Sequence, residues 1–147
     1  LFLPSSFSQV EYLGYGPYES YVDKHRASWL GRFASPVSRL HEDYLRPQEN
    51  SSHWGCRWVE LSDGGNARFR AESPASFSMN ASLYTQEELT LKRHAHELVP
   101  CGSTVLCLDG CMSGIGSASC GPELAESYRV DGEELSLDFL LSCRPQA

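Results

Sequence analysis

The sequence predicts an all-β protein, an antiparallel β-sandwich carrying one short helix. Three observations lead there. Apolar and polar residues alternate with a period of two over several short segments, as in QVEYL (Gln9–Leu13) and CRWVEL (Cys56–Leu61). Turn formers such as GYGP, SDGGN and DG separate these segments at short intervals. Only one segment carries a helix signal, and no strand–helix–strand alternation or fixed-period repeat is present.

In chain order, Leu1–Leu3 reads as the end of a strand that begins upstream, so the chain is expected to be a fragment of a longer one. Gln9–Leu13 is a half-buried strand that stops at Gly14, Gly16 and Pro17. Tyr12, Tyr15, Tyr18 and Tyr21 crowd the corner that follows. Such aromatics either cover the end of a core or offer a sugar-stacking face, and the core use is the commoner one. Asp23–Arg26 reads as a solvated charge cluster. Ala27–Phe33 and Pro36–Leu40 are short strands or irregular segments broken at Pro36. Tyr44–Asn50 (YLRPQEN) is a rigid, hydrogen-bonded loop around Pro47, in which Glu49 is a backbone acceptor rather than a catalytic acid.

Cys56–Leu61 and Arg68–Ser73 form strands joined by a hairpin turn at Ser62–Asn66. Phe77–Ser82 is a further strand, separated from its predecessor by Pro74. Thr85 and Glu88 make a T-x-x-E capping box for a two-turn helix over Thr85–Lys92. Thr104–Leu108 is a buried strand. Ser127–Val130 and Leu135–Cys143 are the last two strands, with Asp131-Gly132 as the turn between them.

The stretch with most chemical content is Asp109–Pro122, DGCMSGIGSASCGP, which holds four glycines, three serines and two cysteines. Glycine at that density marks positive φ angles or close approach of backbone to another group. A phosphate-binding reading of Gly114-x-Gly116 fails, because Pro122 follows instead of a helix N-terminus and no lysine lies in the loop. His94, His96, Cys101, Cys107 and Cys111 lack the paired short spacings of a zinc site. A Cys120/His94 nucleophilic pair has no local support. Carboxylates are plentiful, but none has a context that marks one of the two flanking acids of glycoside hydrolysis.

Composition narrows the classes further. At 147 residues the chain fits one domain with a real core. A formal charge of −7 without clustered Lys or Arg argues against nucleic-acid and anionic-membrane partners. No apolar run approaches the roughly 20 residues needed to span a bilayer, and LFLPSSFSQ has no basic n-region of a secretory signal. Six cysteines without a CxxC pair read as free thiols in a reducing, cytoplasmic setting. Cys107 and Cys143, inside apolar strand runs, act there as small hydrophobes.

Four separated motifs, in order, carry a family resemblance: VEYLGYGPYESYVDK (Val10–Lys24), YLRPQEN with RWVEL (Tyr44–Asn50 and Arg57–Leu61), EELTLKRHAHEL (Glu87–Leu98) and LDGCMSGIGSASCGP (Leu108–Pro122). Together they resemble the C-terminal region of glycoside hydrolase family 2 β-galactosidases, from about Val10 to the last strand. The resemblance implies the second half of a supersandwich of the galactose-mutarotase-like type, here a single β domain over residues 1–147. It implies retaining hydrolysis of terminal β-D-galactosides such as lactose by the complete enzyme. The nucleophile, the acid/base glutamate and the magnesium site would lie in a barrel outside this chain. No cofactor is therefore expected in the fragment, while magnesium and a monovalent cation would serve the whole enzyme. This chain should be inactive alone.

Partners implied are the remainder of the β-galactosidase chain or its large subunit and the β-galactoside substrate, with the whole enzyme a homo-oligomer. The resemblance brings the Asp109–Pro122 loop to the mouth of the sugar pocket. Cys120 stands where some members have a stacking tryptophan, and Ser117 and Ser119 offer hydroxyl contacts. Glu19, Gln48, Glu49 and Asn50 receive structural roles. Two other classes remain open: a stand-alone carbohydrate-binding module using the tyrosine corner or Trp54 and Trp58, and a thiol enzyme centred on Cys120. A fragment cut from a larger sandwich should also expose apolar surface.

Overall fold

The alternating segments become strands that share one antiparallel sheet. In the computed structural model, which describes residues 1–116, 122–132 and 134–144, these strands are β1 (Phe2–Pro4), β2 (Gln9–Gly16), β3 (Trp29–Pro36), β4 (Ser52–Ser62), β5 (Arg68–Ser82), β6 (Ser103–Asp109) and β7 (Leu140–Arg144). The sheet order is β1-β6-β5-β4-β2-β3, with β7 also on β5. The architecture is thus all-β and antiparallel with a single short helix, α1 (Gln86–Leu91).

β5 is the strand on which the sheet is built. Its first part, Arg68–Glu72, pairs with β7, and its last part, Ser78–Ser82, pairs with β6. Its other edge runs along β4. Pro74 does not split it into two strands, as its missing N–H predicts. Between Trp58↔Glu72 and Cys56↔Phe77 the register shifts, so residues 73–76 face Arg57 alone. Pro74 sits in that bulge, where no ladder N–H is needed, and its carbonyl accepts from the Arg57 guanidinium at 3.2 Å.

Alternation sorts side chains onto two faces. One carries the core: Val10 and Tyr12 of β2, Cys56, Val59 and Leu61 of β4, Phe69 and Met79 of β5, Leu106 of β6. Val37, Leu40, Phe7, Leu137 and Phe139 close over it from the connections. The opposite face is charged and self-paired, with Arg32 on Glu11, Arg68 on Glu60 and Arg70 on Glu72. The Trp58 ring lies between two of these cations, 4.2 Å from Arg70 and 5.8 Å from Arg32. Edge strand β3 leaves Trp29 and Leu30 exposed, and β7 leaves Leu140 and Leu141 exposed.

Gly14 points at the core without a side chain because Cys56 fills its place. A Cβ built there would stand 2.5 Å from Cys56 Sγ and 3.2 Å from Cys56 Cα. Gly14→Ala is therefore expected to destabilise the fold by about 1–3 kcal/mol. A urea midpoint equal to that of the parent would show that β4 can withdraw.

Two expectations are corrected at the C-terminal end. Residues Glu126–Tyr128 form a 3-10 turn, not a strand. Arg129 closes that turn by donating to the Leu124 carbonyl at 2.9 Å and to Glu123 at 2.8 Å. The final strand is confined to Leu140–Arg144, so Asp131-Gly132 joins no strand pair. Upstream of it Leu137 packs beside Gly110 and Phe139 stands edge-on to Phe77 at 5.0 Å, spending their apolar surface on the core rather than on a ladder. Cys107 is half-buried, but Cys143 is exposed in β7 and so is no core thiol.

The helix begins as its sequence predicts. Thr85 Oγ1 accepts from the Glu88 N–H at 3.1 Å. Glu88 turns its carboxylate to the Val99 N–H at 2.8 Å and to Lys92. A reciprocal capping box forms instead at the next turn, between His94 and Glu97.

Candidate functional site

The glycine-rich segment leaves the sheet where β6 ends, with Asp109 opposite Ser78 of β5. Its path is fixed from the other end of the chain. Asp23 receives two amides, Ile115 N–H on Oδ1 at 3.1 Å and Gly116 N–H on Oδ2 at 3.0 Å. Gly114 passes over the same carboxylate with φ +84°, and a side chain at that position would overlap Asp23 as well as strain the backbone. Beside it the Val22 N–H donates to Met112 Sδ at 3.4 Å, and Ser113 Oγ accepts from Val130 N–H at 3.3 Å.

Asp23 is held rigid by a tight turn. Tyr21 and Lys24 exchange backbone hydrogen bonds, N–H to O at 2.8 and 3.1 Å, leaving Val22 and Asp23 at the tip. The base of that turn is a buried carboxylate. Glu19 is 6% exposed and accepts from Lys24 Nζ, Tyr44 Oη and, at 2.9 Å, the Ser51 N–H. Burial alone would raise its pKa, but Lys24, Tyr44 and the Ser51 amide outweigh it and hold the carboxyl below its usual value. Glu19 thus joins GPYESY to YLRPQEN. Within the latter, Asn50 accepts from Glu42 N–H at 3.1 Å, donates to the Gln48 carbonyl at 3.0 Å, and gives its own carbonyl to Asn80. Ser51 follows at φ +65°, its hydroxyl on the Leu40 carbonyl.

The tyrosine corner is mostly structural. Tyr12 and Tyr21 are buried, whereas Tyr18 is exposed. His53, 1% exposed, places Nδ1 at 2.9 Å from Tyr12 Oη and 3.2 Å from the Tyr15 carbonyl. Burial pushes its pKa down to about 4, so the ring is neutral at pH 7. Trp54 packs between His25 and Tyr15, at ring distances of 4.7 and 4.9 Å. Trp54 and Trp58 are thus both engaged by protein side chains.

Two hollows flank the loop. One of about 510 Å³ lies between the turn and the chain beyond the loop, lined by Asp23, His25, Arg26, Gly116, Pro122 and Glu123. The other, about 250 Å³, has Trp54, Ser76 and Ser78 as its floor and Met112 and Arg129 at its rim. The three expected substrate contacts, Ser117, Ser119 and Cys120, lie outside the described residues. So does any pairing of Cys120 with His94. His94 and His96 are stacked on each other at 5.5 Å on the surface. Among the described residues no three His, Cys, Asp or Glu side chains converge as metal ligands. Nor is any helix among them long and apolar enough to cross a membrane.

Two features were not visible in the sequence. Asp23 reads as solvated charge, yet it is the loop's anchor, because its amide partners are 92 and 93 residues away. Glu49 feels the charge of Asp109. Desolvation raises both carboxyls, and the Asp109 charge raises Glu49 further. Their sixty-residue separation leaves no local signal.

Comparison with known sequences places the chain in a family. Residues 1–141 match the family described as beta galactosidase small chain. A β-galactosidase of Actinobacillus pleuropneumoniae is 47% identical over 93% of this chain, and one of Staphylococcus xylosus is 42% identical over 96%. A β-galactosidase of Kluyveromyces lactis is 31% identical over 95%. The chain spans only 13% to 14% of the length of these relatives. The chain belongs to the β-galactosidase small-chain family.

Proposed function

We propose that this chain is the C-terminal β region of a glycoside hydrolase family 2 β-galactosidase that hydrolyses terminal β-D-galactosides such as lactose with retention. It lends the Asp109–Pro122 loop to the mouth of the active site and packs against the catalytic barrel. The observation that carries this reading is the anchoring of that loop: a segment rich in small residues is pinned at Ile115 and Gly116 and flanked by open hollows. The match to 13% of much longer β-galactosidases supports it. The exposed Trp29, Leu30, Leu140 and Leu141 support a partner surface, as half of a supersandwich would have.

In this reading Ser117, Ser119 and Cys120 meet the substrate, and both catalytic glutamates and the magnesium belong to the barrel. The complete enzyme is a cytoplasmic homo-oligomer, joined to this region either in one chain or as a large and a small subunit. A free-standing sugar-binding module has less support, since both candidate tryptophans pack on protein.

The test is complementation. The purified chain is expected to leave a chromogenic β-galactoside intact, and the remainder of the enzyme to regain hydrolysis when the two are combined. Hydrolysis by this chain alone, with host enzyme excluded, would contradict the proposal. So would full activity of the remainder without it.

A further inference from the structure

We infer that Asp23 is the positioning residue of the glycine-rich loop and, through it, a determinant of which galactosides the complete enzyme accepts; this rests on the proposed place of the loop at the active-site mouth. Both oxygens of one carboxylate are committed to consecutive backbone amides, at 3.1 and 3.0 Å. A charged acceptor shared by two N–H groups is among the stronger hydrogen-bond arrangements and fixes orientation as well as distance. Gly114 fits over the carboxylate only because it has no side chain, so loop and anchor are shaped to each other.

The anchor itself has little freedom. Its turn is closed by the Tyr21–Lys24 pair of backbone hydrogen bonds. Lys24, the next residue, is drawn to buried Glu19, and on the other side the Val22 N–H meets Met112 Sδ. His25 is stacked on Trp54 and bonded to the Tyr21 carbonyl at 3.1 Å. Every residue from Tyr21 to His25 is therefore fastened to the protein, and Asp23 holds the loop at Ile115 and Gly116. The wall of the larger hollow is made by Asp23, His25 and Arg26 on one side and Gly116 on the other. Moving Gly116 changes the shape of that hollow and, with the loop at the active-site mouth as proposed, the space open to the part of a substrate beyond the galactose.

Asp23→Asn separates this role from bulk. The amide has the same shape but one acceptor, so its NH2 would face a backbone N–H. Two measurements on the complete β-galactosidase carrying this chain test the inference. Deuterium uptake in a peptide covering Cys111–Gly116 is expected to speed up about tenfold or more. The kcat/KM for lactose is expected to fall about tenfold, chiefly through KM, with a smaller change on a nitrophenyl galactoside. Asp23→Glu, which keeps two acceptors, should restore part of both. Unchanged uptake would overturn the anchor and leave the proposed function standing. Faster uptake with unaltered kinetics on both substrates would overturn the role in selection, by removing the loop from the active-site mouth on which it depends.

Discussion

Between pH 6.5 and pH 4 this domain is expected to lose on the order of 3 kcal/mol of stability through His53. The ring is 1% exposed, packed at 4.4 Å on Tyr12, and its pKa is pushed from 6.5 down to about 4 by burial, against the smaller upward pull of the Tyr15 carbonyl and Glu19. Above pH 6.5 the ring is neutral whether the chain is folded or not, so its contribution is fully present. As pH falls below 6.5 the unfolded chain takes up a proton that the folded one refuses, and stability declines. Around pH 4 the folded ring begins to take up its own proton, and the loss levels off below that. The size follows from about 2.5 units at about 1.36 kcal/mol each. That is a large part of the roughly 5–15 kcal/mol a domain commonly has. Glu19 acts in a lower window: its carboxyl is held below 4.5, so its contribution is intact above that value and is lost only as pH falls through the folded pKa. Urea unfolding at a series of pH values checks this, with His53→Gln as the comparison. The variant should start less stable at pH 7.5 and lose much less on acidification. Parallel curves for the two proteins would show that His53 is not the group responsible.

Local pattern and long-range partners divide what the sequence discloses. β2 and β4 are legible because their alternation is itself the cause of their burial: Val10 and Tyr12, or Val59 and Leu61, face one way at period two. β6 is legible as a short apolar run, buried at Thr104, Val105 and Leu106 in succession. The Asp63–Gly65 turn is equally local, closed by Gly65 N–H on Asp63 Oδ1 at 2.8 Å with Gly64 at φ +79°. β5 is not legible as one strand, because a proline is tolerated only where the opposite strand supplies one residue against four. Residues 134–139 fail for a related reason. Leu137 and Phe139 have a tertiary destination on the core, and it outweighs strand propensity. Family resemblance singles out the glycine-rich loop. It did not reveal Asp23 as that loop's support, since a carboxylate in DKHR carries no mark of amides ninety residues distant.

Glu19→Gln is expected to cost about 2–3 kcal/mol of stability. The carboxylate has a 3% exposed side chain and serves three donors from two sequence motifs. An amide keeps the shape and one acceptor, but it offers no charge to Lys24 Nζ and must turn its NH2 toward Tyr44 Oη or the Ser51 N–H. Breaking a fully buried ion pair costs about 3–5 kcal/mol. The lower figure applies because the Lys24 side chain is 52% exposed and can return to water. Removing the partner instead, by Lys24→Met, strands a buried negative charge with only Tyr44 and the Ser51 amide, and should cost at least as much. A double-mutant cycle is then expected to give a coupling of about 1 kcal/mol or more between the two residues. Because Glu19 fixes the base of the turn whose tip is Asp23, the same substitution should also speed deuterium uptake around Ile115 and Gly116. A change below about 0.5 kcal/mol, the range of ordinary surface positions, would mean that Ser51 and Tyr44 find other acceptors at no cost and that the two motifs are not joined through this carboxylate.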